Sequence, residues 1–139
     1  MRAIILGLMI GSGIVFNACS SSPSGPDFAE GRWSITSESE VQGMPMQMQM
    51  PATTFEQCLS AEELVPVRDN PAEGCNIAEQ TIEGDTVSWR YECANSRGEG
   101  SVTYSGKSFA GTMSMKSDTP MGSMTVKTAM SGRYLGPCE

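Results

Sequence analysis

A cysteine stands at each end of CNIAEQTIEGDTVSWRYEC, residues 75–93, and the run between them reads as a β-hairpin. A single covalent bond then fixes the strand pairing of the whole unit. Glu83-Gly84-Asp85 separates two runs rich in Thr, Ile, Val, Trp and Tyr, and three-residue hairpin loops containing Gly are a common connection. With that loop Thr81 faces Val87, Glu79 faces Trp89, Ile77 faces Tyr91 and Cys75 faces Cys93. Directly opposed residues of an antiparallel pair have Cα atoms about 4.5 to 5.5 Å apart, within the span of a disulfide. A two-residue loop would instead set Cys75 against Ala94, so register ties the bond to the turn. The alternation of Val87, Trp89, Tyr91 and Cys93 marks a buried face, with Ser88, Arg90 and Glu92 outside.

The other cysteines set the compartment. Met1-Arg2 followed by AIILGLMIGSGIVF is a positive n-region and an apolar run too short for a comfortable membrane span, so residues 1–18 read as a cleaved export signal and not as a membrane anchor. Asn17-Ala18-Cys19 and the SSSPSGP tether that follows resemble a bacterial lipoprotein signal, in which the cysteine after the cleavage point is acylated. Ala18 fits that pattern, while Phe16 and Asn17 depart from it. The chain has 5 cysteines, and the odd one in an exported protein needs a use of its own. With Cys19 carrying lipid, Cys58, Cys75, Cys93 and Cys138 remain for two disulfides in an oxidising compartment. Of the three possible connectivities, the hairpin register selects Cys75 with Cys93 and leaves Cys58 with Cys138. In the chain-entropy model these closures are worth roughly 3 and 4.5 kcal/mol.

Cleavage removes Arg2 alone among charged residues, which takes the formal charge from −7 to −8. So acidic a domain, without a Lys/Arg cluster in its sequence, is poorly suited to nucleic acid or anionic headgroups. Residues 19–27 form a flexible tether, and 28–139 are of a size for one domain.

Along that domain, residues 31–41 alternate Trp33 and Ile35 against Arg32, Ser34 and Thr36 and form a first strand. Met44, Met46, Met48 and Met50 then recur at every second position between Pro45 and Pro51, a period that puts extended side chains on one side, at a sheet edge or in a loop. Residues 52–59 make a strand leading to Cys58. Ser60-Ala61-Glu62-Glu63 has the form of a capping box and predicts a short helix through Val65, ended by Pro66. Beyond the central hairpin, turn-separated runs place Phe109, Gly111, Met113 and Met115 on one face, and Met124, Val126, Thr128 and Met130 on another. The fold expected is all-β, an antiparallel meander of about seven or eight strands forming a curved sheet or partly closed barrel, with one short helix and two disulfides.

Gly31-x-Trp33, the Met-Pro-Met run at 44–46, Cys58-Leu59, Cys75 with Trp89-x-x-x-Cys93, Tyr104-x-Gly106 and Phe109-x-Gly111 resemble the bacterial envelope family of the domain of unknown function 3617. Met113, Met115 and the closing Gly132-x-x-x-Gly136-x-Cys138 belong to the same pattern, which covers nearly the whole exported part. The family carries no assigned activity, so the resemblance implies a compartment and a fold but no chemistry.

The chain contains 0 histidines, which removes Ser-His-Asp and Cys-His mechanisms and imidazole metal sites. The domain cysteines serve as disulfides. Gly106-Lys107-Ser108 has Ser101 where a phosphate loop needs Gly, and it sits in a strand-to-strand turn. Glu62-Glu63 and the Glu38/Glu40 pair read as solvated surface charge. No catalytic residue, cofactor or dedicated metal ligand set is assigned. The functional signal is methionine, 11 in 139 residues, as core packing, as a flexible apolar surface, or as soft ligands for Cu(I). The chain therefore reads as a non-enzymatic lipoprotein on the periplasmic side of the outer membrane, held to the membrane by Cys19. Met44, Met46, Met48 and Met50 would meet a hydrophobic ligand or an envelope protein, and copper binding by the same row is the alternative.

Overall fold

The computed structural model describes residues 25–67 and 74–139. The expected signal at 1–18, the acylation site Cys19 and most of the tether lie outside the described residues. Eight strands follow one another: β1 (Gly31–Gln42), β2 (Met48–Gln49), β3 (Thr53–Leu59), β4 (Asn76–Glu83), β5 (Thr86–Glu92), β6 (Ser96–Ser105), β7 (Ser108–Thr119) and β8 (Gly122–Gly136). They form one open sheet in the order β2-β1-β8-β7-β6-β5-β4, with β3 also on β1 and every pairing antiparallel. The all-β meander expected from the turn signals is what forms. Its free edges are β4 on one side and β2 with β3 on the other. Both disulfides are those the register selected, Cys75–Cys93 and Cys58–Cys138. The second bond spans β1 and ties β3 to the tail beyond β8.

No helix forms among the described residues, and the predicted helix after Leu59 is replaced by a tight turn. Ser60 and Glu63 pair through their backbones, and the Ser60 hydroxyl accepts from the Glu63 N–H at 3.3 Å, as the capping box predicts. The chain does not go on to helix because Leu64, Val65 and Pro66 are drawn flat into the core, with Leu64 only 2% exposed. Burial of those side chains outweighs weak local propensity in so short a segment.

The central hairpin reaches the expected disulfide by a different route. Glu83 pairs with Thr86, leaving a two-residue turn of Gly84-Asp85 in which Gly84 has φ 60°, the left-handed value a Gly-first hairpin turn needs. Thr81 therefore faces Ser88, and Glu79 faces Arg90. A bulge at Ala78 then shifts the register by one residue, restoring Ile77 opposite Tyr91 and closing Cys75 on Cys93 with Cα atoms 4.1 Å apart. The turn is one residue shorter than expected and the bond is the expected one, because one bulge offsets the missing loop residue.

Trp33, Ile35, Val87, Trp89, Tyr91, Val102, Tyr104, Phe109 and Met130 share one face of the sheet and form the core with Leu59, Leu64 and Val65. Trp33 and Tyr104 are separated by β8 and β7, yet their ring centroids lie 5.9 Å apart. Three strand spacings of about 4.8 Å in a flat sheet would part their backbones by roughly 14 Å. The rings lean together over the intervening strands because Gly132 of β8 leaves room: a Cβ there would collide with the Phe109 ring. Residues 60–67 cover this aromatic end, and the Tyr104 hydroxyl donates to the Leu64 carbonyl at 2.6 Å.

Gly132→Ala is expected to destabilise the domain by about 1–3 kcal/mol through overpacking against Phe109. A lower urea midpoint at unchanged slope would show it, and an unchanged midpoint would contradict the packing described. Burial also pushes the Tyr91 hydroxyl from 10.0 up to about 12. The neutral form is thus favoured by folding, so this stabilisation is complete below pH 10 and disappears as pH rises toward about 12. Tyr91→Phe should flatten that alkaline loss in pH-dependent urea unfolding; an unchanged slope would argue against it.

Candidate functional site

Each strand carries apolar side chains on one face and polar ones on the other, and the two faces offer different chemistry. Two cross-strand rows of the polar face, running from Thr81 through Ser101 to Glu38 and from Glu79 through Lys127 to Glu40, line a trough of about 940 Å³. Its lining mixes hydroxyls and charges with the apolar side chains of Met50, Ala52 and Ala129, and Arg90 pairs with Glu79 at 3.4 Å. Glu38 and Glu40 of the sequence reading fall here, on a wetted surface. The small side chains of Ser88, Ser101 and Ala129 leave the trough its depth.

Met50 borders this trough, whereas Met44, Met46 and Met48 lie toward one end of the sheet. β1 ends at Gln42, and Gly43, with φ 97°, turns so closely on the start of β8 that a Cβ would lie 2.6 Å from the Ser123 carbonyl oxygen. Residues 43–46 bend, and the chain returns as β2, with Met48 opposite Val41. The Met50 N–H donates to the Ser39 carbonyl at 2.9 Å before Pro51 interrupts the pairing. Residues 38–39 of β1 face residues 50–52 of the return strand, a second bulge, and regular pairing resumes at Ser37 with Thr53. The sequence-derived row is therefore an edge segment whose first half is a turn. None of its members enters the core: Met44 is 52%, Met46 77%, Met48 56% and Met50 43% exposed.

A fifth exposed methionine joins them from a distant part of the chain. Gln42 pairs with Thr125, so the tip between β7 and β8, Pro120-Met121, projects at the same end of the sheet as the Met44-Pro45-Met46 turn. Met121 is 99% exposed. Sequence reasoning treated residues 118–122 only as a turn. The signal available was the repeated Pro-Met pair, Pro45-Met46 and Pro120-Met121, in the two turns. Met113, Met115, Met124 and Met130 are more enclosed, on the apolar face of β7 and β8.

The opposite end is where the chain enters. Phe28 bridges to Gly106, and Asp27 is held by its own N–H on the Asp85 carboxylate at 2.8 Å and by its carbonyl on the Gly106 N–H at 2.7 Å. β1 then runs 12 residues to the methionine end, a distance of roughly 40 Å at strand rise. Asp27 and Phe28 thus sit at the opposite end of β1 from the exposed methionines.

Among the described residues no group of three or more Cys, Asp or Glu side chains is arranged to hold a metal ion. The four cysteines are bonded, so thioethers are the soft donors at the surface. No helix among those residues is long and apolar enough to cross a membrane. No curated protein and no solved structure is similar enough to this chain to match it. A family model described as Protein of unknown function (DUF3617) matches residues 28–138, from the Phe28 bridge to the second disulfide, and the chain belongs to that family.

Proposed function

We propose that this chain is an exported, lipid-anchored and non-enzymatic binding module whose contact surface is the methionine-rich end of its sheet. The observation that carries the proposal is the exposure of Met44, Met46, Met48 and Met121 on two separate hairpins at the same end of the sheet. Grouped apolar side chains at a surface mark interaction sites, whereas singly scattered ones need no explanation. Thioethers are flexible and polarisable, which suits an interface that accepts more than one shape. The fitting occupant is an apolar segment of another envelope protein. Two convex tips offer no enclosure to a small ligand, and a surface roughly 40 Å from the tether end faces away from the membrane that holds Cys19. That membrane would be the outer one, with the domain on its periplasmic side.

Intact mass of the membrane-extracted protein tests the address. The expected mass is residues 19–139 plus an acylglyceryl group, with four hydrogens gained on reduction of the two disulfides. An unacylated mass would remove the anchor.

The contact surface is tested with the neutral fluorophore N-phenyl-1-naphthylamine and with a photo-crosslinker placed at position 46 or 121 in cells. Dye affinity should fall about tenfold in the Met46→Gln/Met121→Gln variant, equivalent to about 1.4 kcal/mol, with thermal stability unchanged. Both crosslinker positions should capture the same protein; dye binding without any common adduct would favour a small apolar ligand. Equal dye binding by wild type and the Gln variant would overturn the surface. A second reading, Cu(I) binding, draws on the same end of the sheet, where Met124 of β8 adds a further thioether. Met46→Leu/Met48→Leu separates the two readings: apolar binding survives the substitution, while Cu(I) affinity falls with the loss of two thioethers.

A further inference from the structure

We propose that the exposed methionine end is a sulfoxidation site, through which two-electron oxidants such as hypochlorous acid or hydrogen peroxide switch the apolar contact off. The regulatory half of this rests on the docking reading above; the modification itself does not. It follows from where the fold puts its oxidisable side chains. Both tryptophans are buried, as are Tyr91 and Tyr104, and Tyr134 is half-buried against Trp33. The four domain cysteines are in disulfides, and the chain has 0 histidines. What the described surface offers an oxidant is therefore thioether sulfur. It is concentrated at one pole, with Met121 at 99% and Met46 at 77% exposure, while Met130 is held at 6%.

The chemistry balances with the oxidant alone. A sulfur lone pair attacks the chlorine of hypochlorous acid, and water replaces chlorine on sulfur. The net change is thioether plus HOCl to sulfoxide, H⁺ and Cl⁻: sulfur loses two electrons and chlorine gains them. With hydrogen peroxide the products are sulfoxide and water. Reversal consumes two thiols of a methionine sulfoxide reductase, which leave as a disulfide with water. Sulfoxidation makes a flexible apolar side chain polar and disrupts methionine-rich contacts. The exposed members do not enter the core, so the change reaches the contact surface and spares the fold.

The test uses the intact, membrane-extracted protein titrated with hypochlorous acid, with sulfoxides located by peptide mass spectrometry. Dye affinity and melting temperature are read in parallel. Met121, Met46, Met48 and Met44 should oxidise at least about fivefold faster than Met130, as access dictates. Affinity for N-phenyl-1-naphthylamine should fall about tenfold with a melting shift under about 2 °C. Stoichiometric, prereduced sulfoxide reductases of both epimer specificities should restore it without free thiol to attack the disulfides. A variant with Leu at 44, 46, 48, 50 and 121 should bind the dye and lose nothing to oxidant. Parallel oxidation of Met130 would overturn the modification site. Dye binding that survives full oxidation of the exposed set would overturn the switch alone, and an unoxidised protein that never binds would overturn the docking reading and the switch together.

Discussion

Aromatic rings lying on glycines hold this sheet in its curve. Phe109 occupies the space that a side chain at position 132 would need, and the Trp89 ring lies over Gly100, where a Cβ would sit 2.5 Å from the indole. Both glycines are the direct cross-strand partners of those rings. Trp33 closes the arrangement, with ring centroids 5.6 to 5.9 Å from Phe109, Tyr104 and Tyr134. Each ring removes large apolar area from water, and removing a glycine from beneath one would force the sheet to flatten or the ring to leave. The flat segment at 64–66, the buried Tyr104 hydroxyl and the seating of Phe28 all depend on that curvature.

The cluster also divides the molecule. At its pole the chain enters through Asp27 and Phe28, the β4–β5 turn contributes Asp85, and Cys138 returns to β3. Apolar burial, hydrogen bonds and a disulfide that closes 80 residues coincide there. At the other pole two proline-containing tips project with their methionines in solvent. Stability is concentrated where a tether would pull, and adaptable apolar surface is concentrated at the far end. Such a separation lets one pole change chemically while the other keeps the fold, because the exposed methionines lie outside the core.

Much of the fold was legible in the sequence because its signals are local. Alternation along 31–41 and 86–93 identified the buried faces, and Gly, Pro, Asn and Asp marked the turns. The failures have physical reasons. Ser60-Ala61-Glu62-Glu63 carries a genuine capping signal, and its hydroxyl does accept the Glu63 N–H; the helix is lost to non-local burial of Leu64 and Val65. At Gly84 the loop length was one residue too long, and Ala78 absorbs the difference as a bulge that no local pattern announces. The candidate site was half legible: period-two methionines drew attention to Met44–Met50, while Met121 in a separate turn did not.

The sequence by itself determined the all-β class and the identity of the buried faces, and it pointed to the cysteine pairing that forms. These follow from composition, from spacing and from a two-residue period, which neighbouring residues express whatever the rest of the chain does. Only the tertiary structure decided that Met121 projects at the same end of the sheet as Met44 and Met46, that a trough runs across the opposite face, and that the exposed methionines lie a strand's length from Asp27 and Phe28. Those facts depend on β8 lying next to β1 and on the curvature set by rings packed over glycines. Both are pairings between residues about ninety apart in some cases, as at Ser39 and Thr128, and no window along the chain contains them.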